Sequence, residues 1–163
     1  MPFVSPLTTR ADPLNDGRQS ARALDVRRGV TRWLAAHDFT ALPELTLANG
    51  RRADLLAIGP KSEIWIVEIK SSLADLAADH KWPDYRPFCD RLFFATLPDV
   101  PAEPFPEEAG FLVADGFTAE LIREAPEHRL TAIARKALVF SVARVAAGRL
   151  SFLADPTASV ARG

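Results

Sequence analysis

The chain has 163 residues, 48% of them apolar and 25% charged, with 20 Lys and Arg against 21 Asp and Glu and a formal net charge of −1. That composition describes one globular domain, long enough to bury a core without disulfides or a structural metal. Near-neutrality excludes a protein that coats nucleic acid non-specifically, which needs a strong positive excess. The single cysteine, Cys89, excludes an intramolecular disulfide and a Cys-based zinc knuckle, and reads as a small buried hydrophobe. The apolar run 137–147 is broken by Ser141 and Arg144 and falls short of the ~20 residues of a membrane span, and the first residues carry no apolar core of signal-peptide length. The expectation is a cytoplasmic chain with no membrane segment.

Residues 1–17, rich in Pro, Thr and Asp, have no periodicity and read as a flexible arm before a single domain over 18–155 and a tail over 156–163. Ser20 caps a first helix whose apolar residues Ala23, Val26, Val30, Trp33 and Leu34 recur at steps of three and four. Arg18, Arg22, Arg28 and Arg32 fall on its other side, with Asp25 expected to pair with Arg22 or Arg28. The period then changes to two around Leu45 and Leu47, Asn49-Gly50 signals a hairpin, and strands follow over 52–58 and 63–70, joined by the turn 59–62. A helix over 73–88, interrupted by Pro83, leads into an apolar strand at 91–97, which implies a crossover. After a proline-rich loop, strands are predicted at 110–114 and 119–124. A helix over 129–147, apolar on most of its circumference, should pack on the sheet, and 150–153 should add an edge strand or simply dock. The order places the chain among α/β sandwiches.

Charge is uneven along the chain. Five arginines stand between Arg18 and Arg32 and five bases between Arg129 and Arg149, whereas Asp99 to Glu127 holds eight acids and one base. Each basic cluster reads equally well as a solvated helix face.

The third strand carries the chemistry. Ile64, Ile66, Glu68 and Lys70 share one face, so two charges sit beside a core, which is costly unless they are paired or metal-bound. The hairpin brings Asp54 opposite Val67 or Glu68, within about one cross-strand spacing, ~5 Å between Cβ atoms, where the faces coincide. Two carboxylates so placed suit Mg²⁺, which takes one or two carboxylates, keeps waters and accepts substrate phosphate. Lys70, ~7 Å further along the strand, would hold or deprotonate a water if burial lowers its pKa. An ordinary solvent-exposed Glu-Lys pair accounts for the same spacing.

Asp54, then 13 residues, then Glu68-Ile69-Lys70, on the second and third strands of a helix-strand-strand-strand-helix-strand order, resembles the PD-(D/E)XK nuclease superfamily, although Ala53 replaces the motif's proline. The stretches LPEL at 42–45, GRRAD at 50–54, VEIKSS at 67–72, KWPDY at 81–85 and CDR at 89–91 resemble, more narrowly, the MmcB family of DNA-repair endonucleases of alphaproteobacteria, over about residues 18–153. The resemblance implies a restriction-endonuclease-like α/β sandwich with a mixed central sheet, an αβββαβ core and flanking helices. It also implies a phosphodiesterase using Mg²⁺ or Mn²⁺, with Asp54, Glu68 and Ile69 in the metal set and Lys70 as a further catalytic residue. The superfamily often adds a carboxylate from the first helix. Here that helix offers only Asp25 among arginines, so Glu44 on the first strand is expected to be the additional catalytic and metal-binding acid.

Arg51 and Arg52, at the hairpin leading to Asp54, and Lys81 are expected to contact phosphate. Trp82 and Tyr85 would stack on unpaired bases, or else pack in the core. The partner expected is DNA, as a single-stranded or branched repair intermediate. A homodimer and repair-protein partners are left open, as is a non-catalytic binding or adaptor module of the same fold.

Overall fold

The computed structural model describes residues 20–157; the arm expected over 1–17 and residues 158–163 of the expected tail lie outside the described residues. Strands β1 (Thr40–Thr46), β2 (Arg52–Ile58) and β3 (Ile64–Ile69) form an antiparallel meander, with Gly50 at a φ of 83° in the turn that Asn49-Gly50 predicts. Strand β4 (Arg91–Thr96) lies parallel to β3, β5 (Gly110–Ala114) parallel to β4, and β6 (Ala119–Arg123) antiparallel to β5. The result is one six-stranded mixed sheet in the order β1-β2-β3-β4-β5-β6.

Period two on β3 sorts its side chains as expected. Val67 and Ile69 join Leu55, Phe93 and Leu112 on the face covered by Val26, Val30 and Leu34 of α1 (Ala21–Ala36). Ile64 and Ile66 join Leu56, Leu92, Phe94, Tyr85 and Cys89 on the other. Buried on both faces, β3 and β4 read as near-continuous apolar runs. Gly29 lets α1 lie directly on the β5–β6 turn, where a Cβ would stand 2.0 Å from the Asp115 carbonyl oxygen. The ion pair expected of Asp25 is not the one Arg22 makes: its guanidinium reaches Asp99 at 2.7 Å and the Ser71 carbonyl, while Asp25 sits beside Gly116.

Between β3 and β4 the single helix predicted over 73–88 is instead α2 (Leu73–Ala77) and a 3₁₀ segment (Trp82–Phe88). The break is local chemistry: the Asp79 carboxylate accepts the Lys81 N–H at 2.8 Å, and a residue preceding proline disfavours the α conformation. The last helix, α3 (Ala132–Ala154), also differs from its predicted limits, starting three residues later and continuing through 150–153, where no strand forms. Thr131 caps it, accepting the Ala134 N–H. Of its apolar residues only Leu138 is buried, so it rests on β1 and the 3₁₀ segment rather than burying most of its circumference. By length and composition α3 could cross a membrane, which the shorter run 137–147 did not indicate; here Arg135 and Arg149 tie one side of it to the sheet.

Arg135 meets Asp90, whose two oxygens also accept the N–H groups of Ile64 and Leu130, both at 2.8 Å. Burial would push the Asp90 carboxyl up, but these bonds outweigh it and hold it at about 2. Asp90→Asn is expected to destabilise the fold by about 3 kcal/mol, since one substitution removes the buried charge that pairs with the half-buried Arg135 guanidinium and turns an amide against main-chain N–H groups. For wild type, a depressed carboxyl pKa supplies stability above about pH 4 that is lost as pH falls towards 2. Urea melts at neutral and acid pH check both, and an unchanged midpoint for Asp90→Asn would refute the strut.

Candidate active site

The β2–β3 ladder ends at Leu55–Val67, and the β1–β2 ladder skips the position where Glu44 would face Asp54. Asp54 therefore stands where both ladders are interrupted. Its Oδ2 accepts the Ile69 N–H at 2.8 Å, and its own N–H donates to Glu68 Oε1 at 3.1 Å, so each carboxylate substitutes for a missing main-chain partner across the gap. Among the described residues the second oxygen of each makes no hydrogen bond, and both acids line a cleft of about 450 Å³ with Ser20, Ala23, Arg52, Ile69, Lys70, Ser71, Asp75 and Tyr85. The pairing that the hairpin arithmetic predicts, Asp54 beside Glu68 with Lys70 next to them, is what the fold assembles.

Burial is the main force on both acids. It pushes Asp54 up to about 6, partly offset by the Ile69 N–H and Lys70, and it pushes Glu68 well up, with the Asp54 charge as the next contribution. Lys70 behaves differently from its expectation. Its Nζ lies 2.6 Å from Asp79 Oδ2, and although burial works against the ammonium, the Asp79 bond outweighs it and the pKa is raised. In the metal-free chain Asp79 therefore favours the ammonium form of Lys70.

Asp79 and Asp75 are the acids that sequence reasoning missed. Asp75 follows Ser72 by three residues, a capping pattern that was there to read: Ser72 Oγ accepts the Asp75 N–H, and Asp75 Oδ2 accepts the Ser71 N–H. That first turn places Asp75 on the cleft wall. Asp79, one helical turn on, reaches Lys70.

Glu44 is not brought to the cleft. It takes a positive φ of 53°, lies 4.0 Å from Arg52, and the Arg149 guanidinium bonds its carbonyl at 2.8 Å; the compensating arginines absent from its own strand come from β2 and α3. Arg52 lines the cleft, whereas Arg51 pairs with Asp84 at 2.9 Å. Lys81 is exposed at the start of the 3₁₀ segment. Trp82 packs edge-on against Phe94, and Tyr85 is a core residue whose hydroxyl donates to the Arg52 carbonyl at 2.9 Å, so both aromatics take the packing role. Cys89 is buried, with its thiol pushed up to about 12 by burial. Among the described residues no group of three or more His, Cys, Asp or Glu surrounds a metal-sized site.

A raised carboxyl pKa means that the folded state keeps protons that the unfolded chain has lost, so the metal-free protein loses stability as pH climbs from about 4 through about 6. Glu68→Gln keeps an acceptor for the Asp54 N–H and removes the like charge. It is expected to raise stability near neutral pH by about 1 kcal/mol or more and to flatten that slope. Thermal melts across this range, in chelator, would show the opposite ordering if the two charges were independently solvated.

Three comparisons bear on this geometry. A family model described as DNA repair protein MmcB-like matches residues 10–157. Among solved structures, the SPO1766 protein of unknown function from Silicibacter pomeroyi is 43% identical with a TM-score of 0.84, covering 89% of this chain and 99% of its own. No curated protein matches. With the family model spanning nearly the whole chain, this protein belongs to the MmcB-like DNA repair protein family.

Proposed function

We propose that the protein is a Mg²⁺-dependent endodeoxyribonuclease of the PD-(D/E)XK type, acting in the cytoplasm on single-stranded or branched DNA repair intermediates. The observation that carries this reading is the Asp54–Glu68 pair, a half-buried and a buried acid that line one cleft, beside the buried Lys70 ammonium. The meander, the crossover and the parallel β4 are consistent with the restriction-endonuclease-like arrangement.

The donors fit a hard divalent cation: Asp54 and Glu68 would hold it, Ile69 has only its backbone carbonyl to add, and water or phosphate would complete the shell. When bound, Mg²⁺ or Mn²⁺ supplies neutralisation of phosphate charge and a more acidic water. The chain's own groups do the remainder. Lys70, locked by Asp79, presents a fixed positive charge that orients water or phosphate oxygen without taking a proton. Arg52 on the cleft wall offsets phosphate charge, and Asp75, a charge neighbour of both Asp54 and Lys70, is placed to align a water.

Nuclease assays on single-stranded, flapped, branched and nicked DNA, with Mg²⁺ and with chelator, test the reading. Lys70→Ala is expected to remain folded, at reduced stability, and to bind metal while losing roughly 10²–10³-fold in rate, and Asp54→Ala to lose both binding and activity. Equal cleavage by wild type and Lys70→Ala would assign the activity to a contaminant. Calorimetric titration with Mn²⁺ separates the acids further: Asp75→Asn should weaken binding more than Glu44→Gln, because only Asp75 faces the cleft. The reverse order would return Glu44 to the metal set.

A second reading, a nucleic-acid-binding module without catalysis, is favoured by the lack of a third metal-binding side chain around the pair among the described residues. It predicts DNA binding with no cleavage of any of these substrates.

A further inference from the structure

The outward side of α3 is used by neither the core nor the cleft. Along it Ile133, Phe140, Ala147 and Ala154 recur every seven residues, with Lys136, Ala143 and Leu150 three residues after the first three. The spacing puts these positions on one side of the helix over ~32 Å at 1.5 Å per residue, the geometry in which a helix packs against another helix, with Ile133, Phe140 and Leu150 as its large apolar side chains. Ile133 is 84% exposed, Phe140 64% and Leu150 68%. The alanines between them leave room for a second backbone to approach closely. The helix is not free to turn this stripe inward, because Arg135 is held by Asp90 and Arg149 by the carbonyls of Pro43 and Glu44.

Charge identifies what covers the stripe. From Arg129 to Ala154 the chain has five bases and no acid. With Arg129 exposed ahead of the helix and Arg135 and Arg149 turned inward, Lys136 and Arg144 are the exposed bases of α3, and neither makes an ion pair among the described residues. Lys136 occupies a seam position, where an ammonium flanked by Ile133 and Phe140 needs a carboxylate from across the interface. The α3 of a second copy brings further bases along the stripe, and its one nearby acid, the C-cap Asp155, already accepts the Thr157 N–H and hydroxyl. A lipid surface accommodates cations at the margins of an apolar face rather than in its middle.

We propose that α3 docks an acidic amphipathic helix of a partner protein, which lays an apolar stripe along Ile133, Phe140 and Leu150 and meets Lys136 and Arg144 with Asp or Glu. The proposal does not depend on the nuclease reading.

The test uses the full chain and two labelled synthetic helical peptides of about four heptads with the same leucine seam, one flanked by Glu and the other by Lys, titrated by fluorescence anisotropy. The Glu peptide should bind at least tenfold more tightly. Phe140→Asp with Leu150→Asp should abolish binding, and the exposure of both positions predicts an unchanged melting temperature. Lys136→Glu with Arg144→Glu should reverse the preference towards the Lys peptide, which a merely sticky surface would not do. Equal binding of the two peptides overturns the proposal. So does a concentration-dependent dimer in light scattering that Phe140→Asp dissolves, which would assign the face to a second copy. Sedimentation with phosphatidylglycerol vesicles, lost in the double aspartate variant and unaccompanied by peptide binding, would assign it to a lipid surface.

Discussion

Asp90 is where the fold is fastened. One carboxylate takes hydrogen bonds from the main chain of Ile64 at the start of β3, the main chain of Leu130 before α3, and both terminal nitrogens of Arg135 on α3. The backbone of Asp90 adds a bond to the Ile64 carbonyl and another from the His128 N–H. A buried charge is affordable only when each of its oxygens is satisfied, and here all the demand is met within a few ångströms. With β3 clamped to β4 at this end, the position of its other end, Glu68 to Lys70, follows from the register.

At that other end the accounting differs. The ladders on both sides of Asp54 stop, the carboxylates of Asp54 and Glu68 fill in for main-chain acceptors, and among the described residues one oxygen of each remains unbonded. Asp90 balances its charge with a bonded guanidinium; this pair has the charges of Lys70, which Asp79 engages, and of Arg52 on the cleft wall. Two acids crowded together out of water resist ionisation, which is why both carboxyl pKa values are raised, and under the proposed function a cation would offset their charge. That contrast, between two buried carboxylate centres at opposite ends of one strand, separates the structural acid from the candidate functional ones more sharply than burial alone.

What the sequence made legible was whatever local period and hairpin length could encode. The alternation on β3 and the turn at 59–62 sufficed to put Asp54, Glu68 and Lys70 together, because both strands are short and adjacent. The partner of Lys70 was not legible, because Asp79 reaches it only through the break between α2 and the 3₁₀ segment, where a side chain caps a main-chain N–H instead of continuing a helix. Glu44 was misplaced for a related reason: strand arithmetic assumes unbroken alternation, and a residue at positive φ breaks it. The fate of α3 was hidden as well, since apolar content alone does not distinguish a helix covered by its own sheet from one left open.

The kink at Glu44 joins these observations. A non-glycine residue in the left-handed region costs about 1 kcal/mol or more and persists only where its surroundings hold it. Arg149 does so, donating to the carbonyls of Pro43 and Glu44 on either side of the Glu44 α-carbon. The kink in turn removes the Glu44–Asp54 step from the β1–β2 ladder, and that gap frees Asp54 to turn its carboxylate towards Ile69. A contiguous set of contacts therefore runs from the inner side of α3, through a strained edge strand, to the acid in the cleft. Arg149 belongs to the same helix whose outer side carries the exposed stripe, so the surface that most needs covering and the geometry of the buried pair rest on one element.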